Sequence, residues 1–192
     1  MSESTNEAVR IVGISGSLRK ASFSTALLEI LAEKCASSIN IQIATLNDIP
    51  LYNEDLDTAT GVSAVNALKR LISSCDGVLI STPEYNHGIP GVLKNTLDWL
   101  SRPVSESCFK NKPVSIISSS KAFTGGVRAQ YQLRETLISM QAQLVVGPEV
   151  VVGGVHQHFE GESYADEAGL NFMLNSLNRL KDAALYRRLV AA

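Results

Sequence analysis

Cysteine is scarce: Cys35, Cys75 and Cys108 are the only three in 192 residues. Their number is odd, their spacing wide, and no CxxC occurs. This excludes a disulfide framework and a cysteine-built zinc site. Charge is also thin, at 19% of residues, too little for a disordered or coiled-coil chain. Seventeen Lys and Arg against nineteen Asp and Glu leave a net charge of -2. No positive field therefore exists to attract nucleic acid or an anionic membrane. No apolar run approaches the ~18 residues of a membrane span. The first run, residues 9–14, is too short for the core of a secretory signal. Repeats, linkers and low-complexity stretches are absent. What is present is apolar: 45% of residues, ample for one core. At about 150 residues per domain, the length fits one domain. The expectation is a cytoplasmic protein with a polar, disordered tail over residues 1–8 and a single domain over 9–192.

After the tail, β-like runs alternate with helical patterns. Residues 9–15 and 77–82 are short continuous apolar runs, as in strands covered on both faces. Further strands are expected at 39–46, 113–118 and within 143–152. Helical spacing marks 22–35, 62–74, 91–101, 126–140 and 165–189. Five such units imply a parallel sheet with helices on both faces. Ligands of these sheets bind at the carboxyl ends of the strands. The loops after the first, third and fourth strands are the places to look.

The first loop reads Ser15-Gly16-Ser17-Leu18-Arg19-Lys20-Ala21-Ser22-Phe23-Ser24-Thr25. Five hydroxyls and two cations precede or open a helix. A helix N-terminus offers unpaired N–H groups and a positive dipole end. Arg19 adds a guanidinium fork. Together they suit one terminal phosphate, whereas Ser22 alone would serve as a helix cap. The loop is neither GxGxxG nor GxxxxGK[ST], which disfavours a dinucleotide cradle or a Walker NTPase. The second loop, Thr82-Pro83-Glu84-Tyr85-Asn86-His87-Gly88-Ile89-Pro90-Gly91, is rigid and carries an aromatic face and backbone donors for a flat ring. The third, Ser118-Ser119-Ser120-Lys121-Ala122-Phe123-Thr124-Gly125-Gly126, offers a second polar wall. One site with a phosphate end and a flat heterocycle end has the shape of flavin mononucleotide in a flavodoxin-like sheet of order 2-1-3-4-5.

At these residues the chain resembles the NADPH-dependent FMN reductase family. Gly16 to Ser24 is similar to that family's GSLRKxSxN phosphate loop. Pro83 to Arg102, with Asn95, Asp98 and Trp99, resembles its second signature. Gly125-Gly126-Val127-Arg128-Ala129-Gln130-Tyr131, followed by Leu133-Arg134, resembles its third. The likeness spans the chain after the tail and is strongest to bacterial quinone and chromate reductases. It implies a flavodoxin-like fold, bound FMN, NADPH or NADH as donor, and quinones, free flavin, azo compounds or chromate as acceptors. By this likeness Ser17, Arg19, Ser22, Ser24 and Thr25 hold the phosphate. Pro83, Glu84, Tyr85, Asn86 and His87 line the isoalloxazine, and Ser119 and Ser120 complete the wall. Ser24 stands where the family often has Asn, and His87 where an aromatic or another polar residue often occurs.

The implied reaction is a ping-pong hydride transfer in which the flavin does the redox work. No catalytic side chain and no metal ligand are expected. Arg102 or Arg19 is a candidate for also meeting the phosphates of NADPH. An FMN-binding electron-carrier flavodoxin is the alternative, disfavoured by the small net charge. His156 and His158 form an H-x-H without accompanying ligands and read as exposed loop histidines. Trp99 reads as core, Cys75 as a buried small hydrophobe and Cys108 as a loop thiol. The resemblance implies a homodimer or homotetramer with Arg128, Tyr131 and Glu149 at its interface.

Overall fold

The computed structural model describes residues 8–58 and 60–191. The expected tail, apart from Ala8, lies outside the described residues. The elements are β1 (Val9–Ser15), α1 (Phe23–Cys35), β2 (Ile39–Ala44), α2 (Ser63–Ser74), β3 (Gly77–Pro83), α3 (Gly91–Leu100), β4 (Pro113–Ser119), α4 (Val127–Ser139), β5 (Gln143–Leu144), β6 (Val150–Val152), β7 (Phe159–Glu160), β8 (Ser163–Tyr164) and α5 (Glu167–Ala191). The main sheet is parallel, in the order β2-β1-β3-β4-β5, with β6 also on β4. This is the flavodoxin-like α/β order that the sequence led us to expect.

Alternation along each strand divides the core. Val12, Ile14, Val78, Ile80, Val114 and Ile116 face α2, α3 and α4, meeting Ile72, Leu93, Leu97, Leu133 and Leu137. Ile11, Ile39, Ile41, Leu79 and Ile117 face α1 and α5, meeting Leu27, Leu28, Leu31, Met173, Leu177 and Leu180. Both faces being covered explains why β1 and β3 read as continuous apolar runs. Each fully buried Leu contributes about 1.5–3 kcal/mol of transfer free energy. Truncating Leu28 to Ala, where 0% is exposed, would cost about 2–5 kcal/mol.

Two differences from the expected elements matter. The fifth strand is two short pieces, β5 and β6, separated by residues 145–149. Gly147 and Pro148 lie in the break, and proline has no N–H for a ladder. The second difference is the β7–β8 hairpin, antiparallel and outside the main sheet. It was not expected because strands of two residues carry no period.

Polar groups also pin the layers. Asp76, just before β3, accepts from the Arg10 amide at 2.7 Å and from Arg188 Nε of α5 at 2.8 Å. Burial works against ionising Asp76, but these bonds and the charges of Arg188 and Arg10 outweigh it and hold its carboxyl below the ordinary value. Lys112 is 1% exposed and donates to the carbonyls of Cys75 and Ser73 at the end of α2. Trp99 is core, as expected: its indole N–H donates to the Pro50 carbonyl at 2.8 Å, and Tyr52 packs edge-on against it. Asn95 binds the same carbonyl and takes the Tyr52 amide. This Asn95–Trp99 pair fixes the segment between β2 and α2 and stands away from the loops of interest.

Candidate functional site

The three loops meet where the sheet ends. Register places Ser15 of β1 beside Ser81 of β3, and Pro83 of β3 beside Ser119 of β4. The Gly16 amide extends the pairing by donating to the Ser81 carbonyl at 2.8 Å. A Cβ on Gly16 would stand 2.7 Å from the Thr82 hydroxyl, so only glycine lets the first loop pass this close to β3. Beyond this line opens a cleft of about 340 Å³. It is lined by Ser17, Arg19, Ser22, Phe23, Ser24, Pro83, Glu84, Tyr85, Ser119, Ser120, Lys121 and Val155.

One end of the cleft is the start of α1. Ser22 is in extended conformation and accepts from the Thr25 amide at 3.4 Å, so it is the N-cap. The amides of Phe23 and Ser24 have no partner among the described residues. They add donors at the positive end of the helix dipole. Ser24 is 1% exposed and its hydroxyl meets that of Ser119 at 3.4 Å, joining the first and third loops. Arg19 reaches this end with its guanidinium over the Phe23 ring. These groups form a cationic, donor-rich pole that suits a phosphate.

The other end is the loop after β3. Tyr85 and Gly88 exchange backbone hydrogen bonds at 2.9 and 3.1 Å around Asn86 and His87. Both central residues are left-handed, with φ of 50° and 68°. That makes a tight two-residue turn that tips Asn86 and His87 outward. Glu84 points the other way. Its side chain is 9% exposed, and Oε2 accepts from the amides of Arg128 at 3.0 Å and Ala129 at 3.3 Å. Gly126 precedes α4 with φ of 88° and has no side chain to cap the helix, so Glu84 supplies the cap from the neighbouring loop. Gln132 of α4 holds the far side of the turn by accepting from the Ile89 amide at 2.7 Å. Gln130, 0% exposed, donates to the Ser118 hydroxyl at 3.0 Å and the Val150 carbonyl at 2.7 Å.

Nine of the twelve expected residues thus line the cleft: Ser17, Arg19, Ser22, Ser24, Pro83, Glu84, Tyr85, Ser119 and Ser120. Three do not. Thr25 turns its hydroxyl to Ser15 Oγ at 2.8 Å and borders a separate groove along α1. Asn86 and His87 sit exposed at the turn apex, outside the cleft lining. Arg102 is not brought there either. Ten helical residues separate it from the loop before Gly91, about 15 Å of rise.

The fourth wall was not read from the sequence. Residues after β6 fold back over the third loop: the Val155 amide donates to the Ser120 carbonyl at 3.0 Å and Gly154 to that of Ala122 at 3.2 Å. His158 is half-buried rather than exposed, with Nε2 at 3.1 Å from the Gly153 carbonyl and Nδ1 at 3.2 Å from Asp166. His156 is exposed, as expected. Gly153-Gly154 was the available signal, since a Gly pair after a strand permits such a close return. Gln130 and Gln132 had none beyond their place in the third signature. Cys75 is buried, and burial raises its thiol despite the Lys112 charge. Cys108 is no open loop thiol: burial pushes it up to about 12, with Lys112 and Lys69 countering only in part. Among the described residues no cluster of three His, Cys, Asp or Glu is placed to hold a metal. No helix there is long and apolar enough to cross a membrane.

Comparison with known proteins places the sequence and the fold. The model of the NADPH-dependent FMN reductase family matches residues 9–157. The NAD(P)H-dependent FMN reductase of Pseudomonas aeruginosa is 37% identical over 157 residues, covering 82% of this chain and 84% of that protein. A quinone reductase of Escherichia coli K12 is 41% identical over 155 residues, covering 80% and 81%. Among solved structures, the flavoenzyme NAD(P)H:(acceptor) oxidoreductase FerB of Paracoccus denitrificans superposes with a TM-score of 0.85 at 29% identity, covering 93% of this chain and 98% of that one. On sequence and fold, the chain belongs to the NADPH-dependent FMN reductase family.

Proposed function

We propose that this protein binds FMN in the cleft and is an NAD(P)H oxidoreductase with quinone-like acceptors. The observation that carries the reading is the pairing of two unlike ends in one cleft. The free Phe23 and Ser24 amides, with Ser17, Ser22 and Arg19, suit the phosphate. The rigid Pro83–Tyr85 rim suits a flat ring. A volume of about 340 Å³ is in the range of small-molecule sites.

When bound, FMN supplies the hydride chemistry between donor and acceptor. The chain's residues bind, orient and shape. Ser24 and Ser119 keep the phosphate end closed between β1 and β4. Glu84 acts through α4: by capping that helix it sets the path of Pro83–Tyr85 along the cleft. Tyr85, 52% exposed, stands at the open rim where a flat acceptor would enter. No side chain is assigned a proton-transfer role. A homodimer or homotetramer is part of the reading. Tyr131 and Ile138 expose 61% and 63% on α4, while Arg128 and Glu149 are held within the chain by Glu84 and Arg134.

Anaerobic mixing of the FMN-loaded protein with NADPH tests the activity. Rapid loss of the visible flavin band, restored by one equivalent of a benzoquinone, is expected. A flavin that binds but is not bleached by NADPH or NADH would identify an electron carrier instead.

A further inference from the structure

The Arg134 of the third signature has no part in the cleft. It lies on the far side of α4, where the edge of the sheet is broken between β5 and β6. There Arg134, Arg179 of α5, Ser115 of β4 and Ser176 of α5 converge on a small cavity of about 10 Å³. Nε of Arg134 and both Nε and Nη2 of Arg179 are buried without a hydrogen-bond partner. Arg179 makes no hydrogen bond or ion pair among the described residues. Glu149 approaches Arg134 Nε at 3.5 Å, outside hydrogen-bond geometry, and Arg134 Nη2 donates to the Gln130 side-chain oxygen Oε1 at 3.4 Å. Of the two guanidinium groups that line the cavity, Arg134 has a carboxylate nearby and, among the described residues, Arg179 has none.

A buried donor without an acceptor is costly. Guanidinium cannot shed its proton to escape this. Gly147 leaves the room Arg179 occupies: a Cβ there would collide with its Nε. We propose that this cavity is a binding site for one small monovalent anion of halide size, such as chloride. The anion would take N–H groups from both arginines, with the Ser115 and Ser176 hydroxyls free to add theirs. It would fill the gap that Gly147 and Pro148 leave in the sheet edge and tie α4 to α5. The cavity is too small for phosphate or a dinucleotide, which separates it from the cleft.

The test uses the FMN-loaded protein. Its Tm is followed as chloride replaces gluconate, too large for the cavity, at constant ionic strength. At about five times the dissociation constant, linkage predicts a rise of about 2–4 °C for a chain of this size. The rise saturates in the wild type and vanishes in Arg179→Met. Crystals soaked in bromide should show an anomalous peak within hydrogen-bond reach of Arg134 and Arg179. This second measurement needs no variant. No chloride-specific rise overturns the proposal, as does a rise that Arg179→Met retains. A cavity without bromide, holding only water, also overturns it, and a peak without the solution effect means binding at crystal concentration only.

Discussion

Replacing Glu84 should damage both stability and cofactor affinity, and its contacts allow the loss to be sized. The carboxylate takes two amide hydrogen bonds at the start of α4 and is 9% exposed. A side-chain cap is worth about 0.5–2 kcal/mol. The negative charge at a helix N-terminus adds about 0.3–1 kcal/mol. The Arg128 ion pair, at 3.8 Å with Arg128 half-exposed, adds little. Glu84→Ala should therefore cost about 1–3 kcal/mol, or roughly 2–10 °C in Tm. Glu84→Gln keeps one acceptor oxygen and should lose only the charge component, about 1 kcal/mol or less. Thermal unfolding of the FMN-free protein reads the first quantity. Fluorescence titration with FMN reads the second, and affinity should fall at least threefold in Glu84→Ala. If Glu84→Ala unfolds within 1 °C of wild type and binds FMN equally well, the capping argument is wrong.

Gly16→Ala should destabilise by about 1–3 kcal/mol through overpacking against Thr82 and weaken FMN binding, read by denaturation and titration. Asp76→Asn should cost about 2 kcal/mol at pH 7, less than a fully buried pair because Arg188 is 30% exposed. Since the folded pKa of Asp76 is depressed, its stabilisation is present above the unfolded value and fades as pH falls through the folded one. Urea titrations of wild type and variant should accordingly converge at acid pH. A thiol reagent at pH 8 should find no fast cysteine in the native protein, because burial raises all three thiols, and three in denaturant. Arg19→Ala should weaken FMN binding severalfold, whereas Arg102→Ala should leave it unchanged.

Much of the site was legible because it is local. A strand, a turn and a helix start are contiguous in 15–25, so hydroxyls, Arg19 and the free amides of α1 fall together without help from the rest of the chain. The same holds for Pro83–Tyr85. What was not legible depends on partners far apart in sequence. Glu84 reads as a lining residue, yet its carboxylate is spent on α4 amides forty-four positions away. Thr25 reads as a phosphate ligand, and the structure joins its hydroxyl to that of Ser15. His158 reads as a free loop histidine until Gly153 and Asp166 close on its two nitrogens. Arg102 shares a signature with the flavin loop but stands a helix length from it.

By itself the amino-acid order determined the parallel sheet, the ends of it that matter and the donor-rich start of α1, because apolar periodicity and helix-start chemistry are short-range properties. The tertiary structure alone decided which way each polar side chain points. It also broke the fifth strand at Gly147–Pro148, returned Gly153–Val155 as a fourth wall, and set two arginines around one small cavity. These outcomes follow from packing between elements, where a buried polar group takes the nearest available partner whatever its distance along the chain.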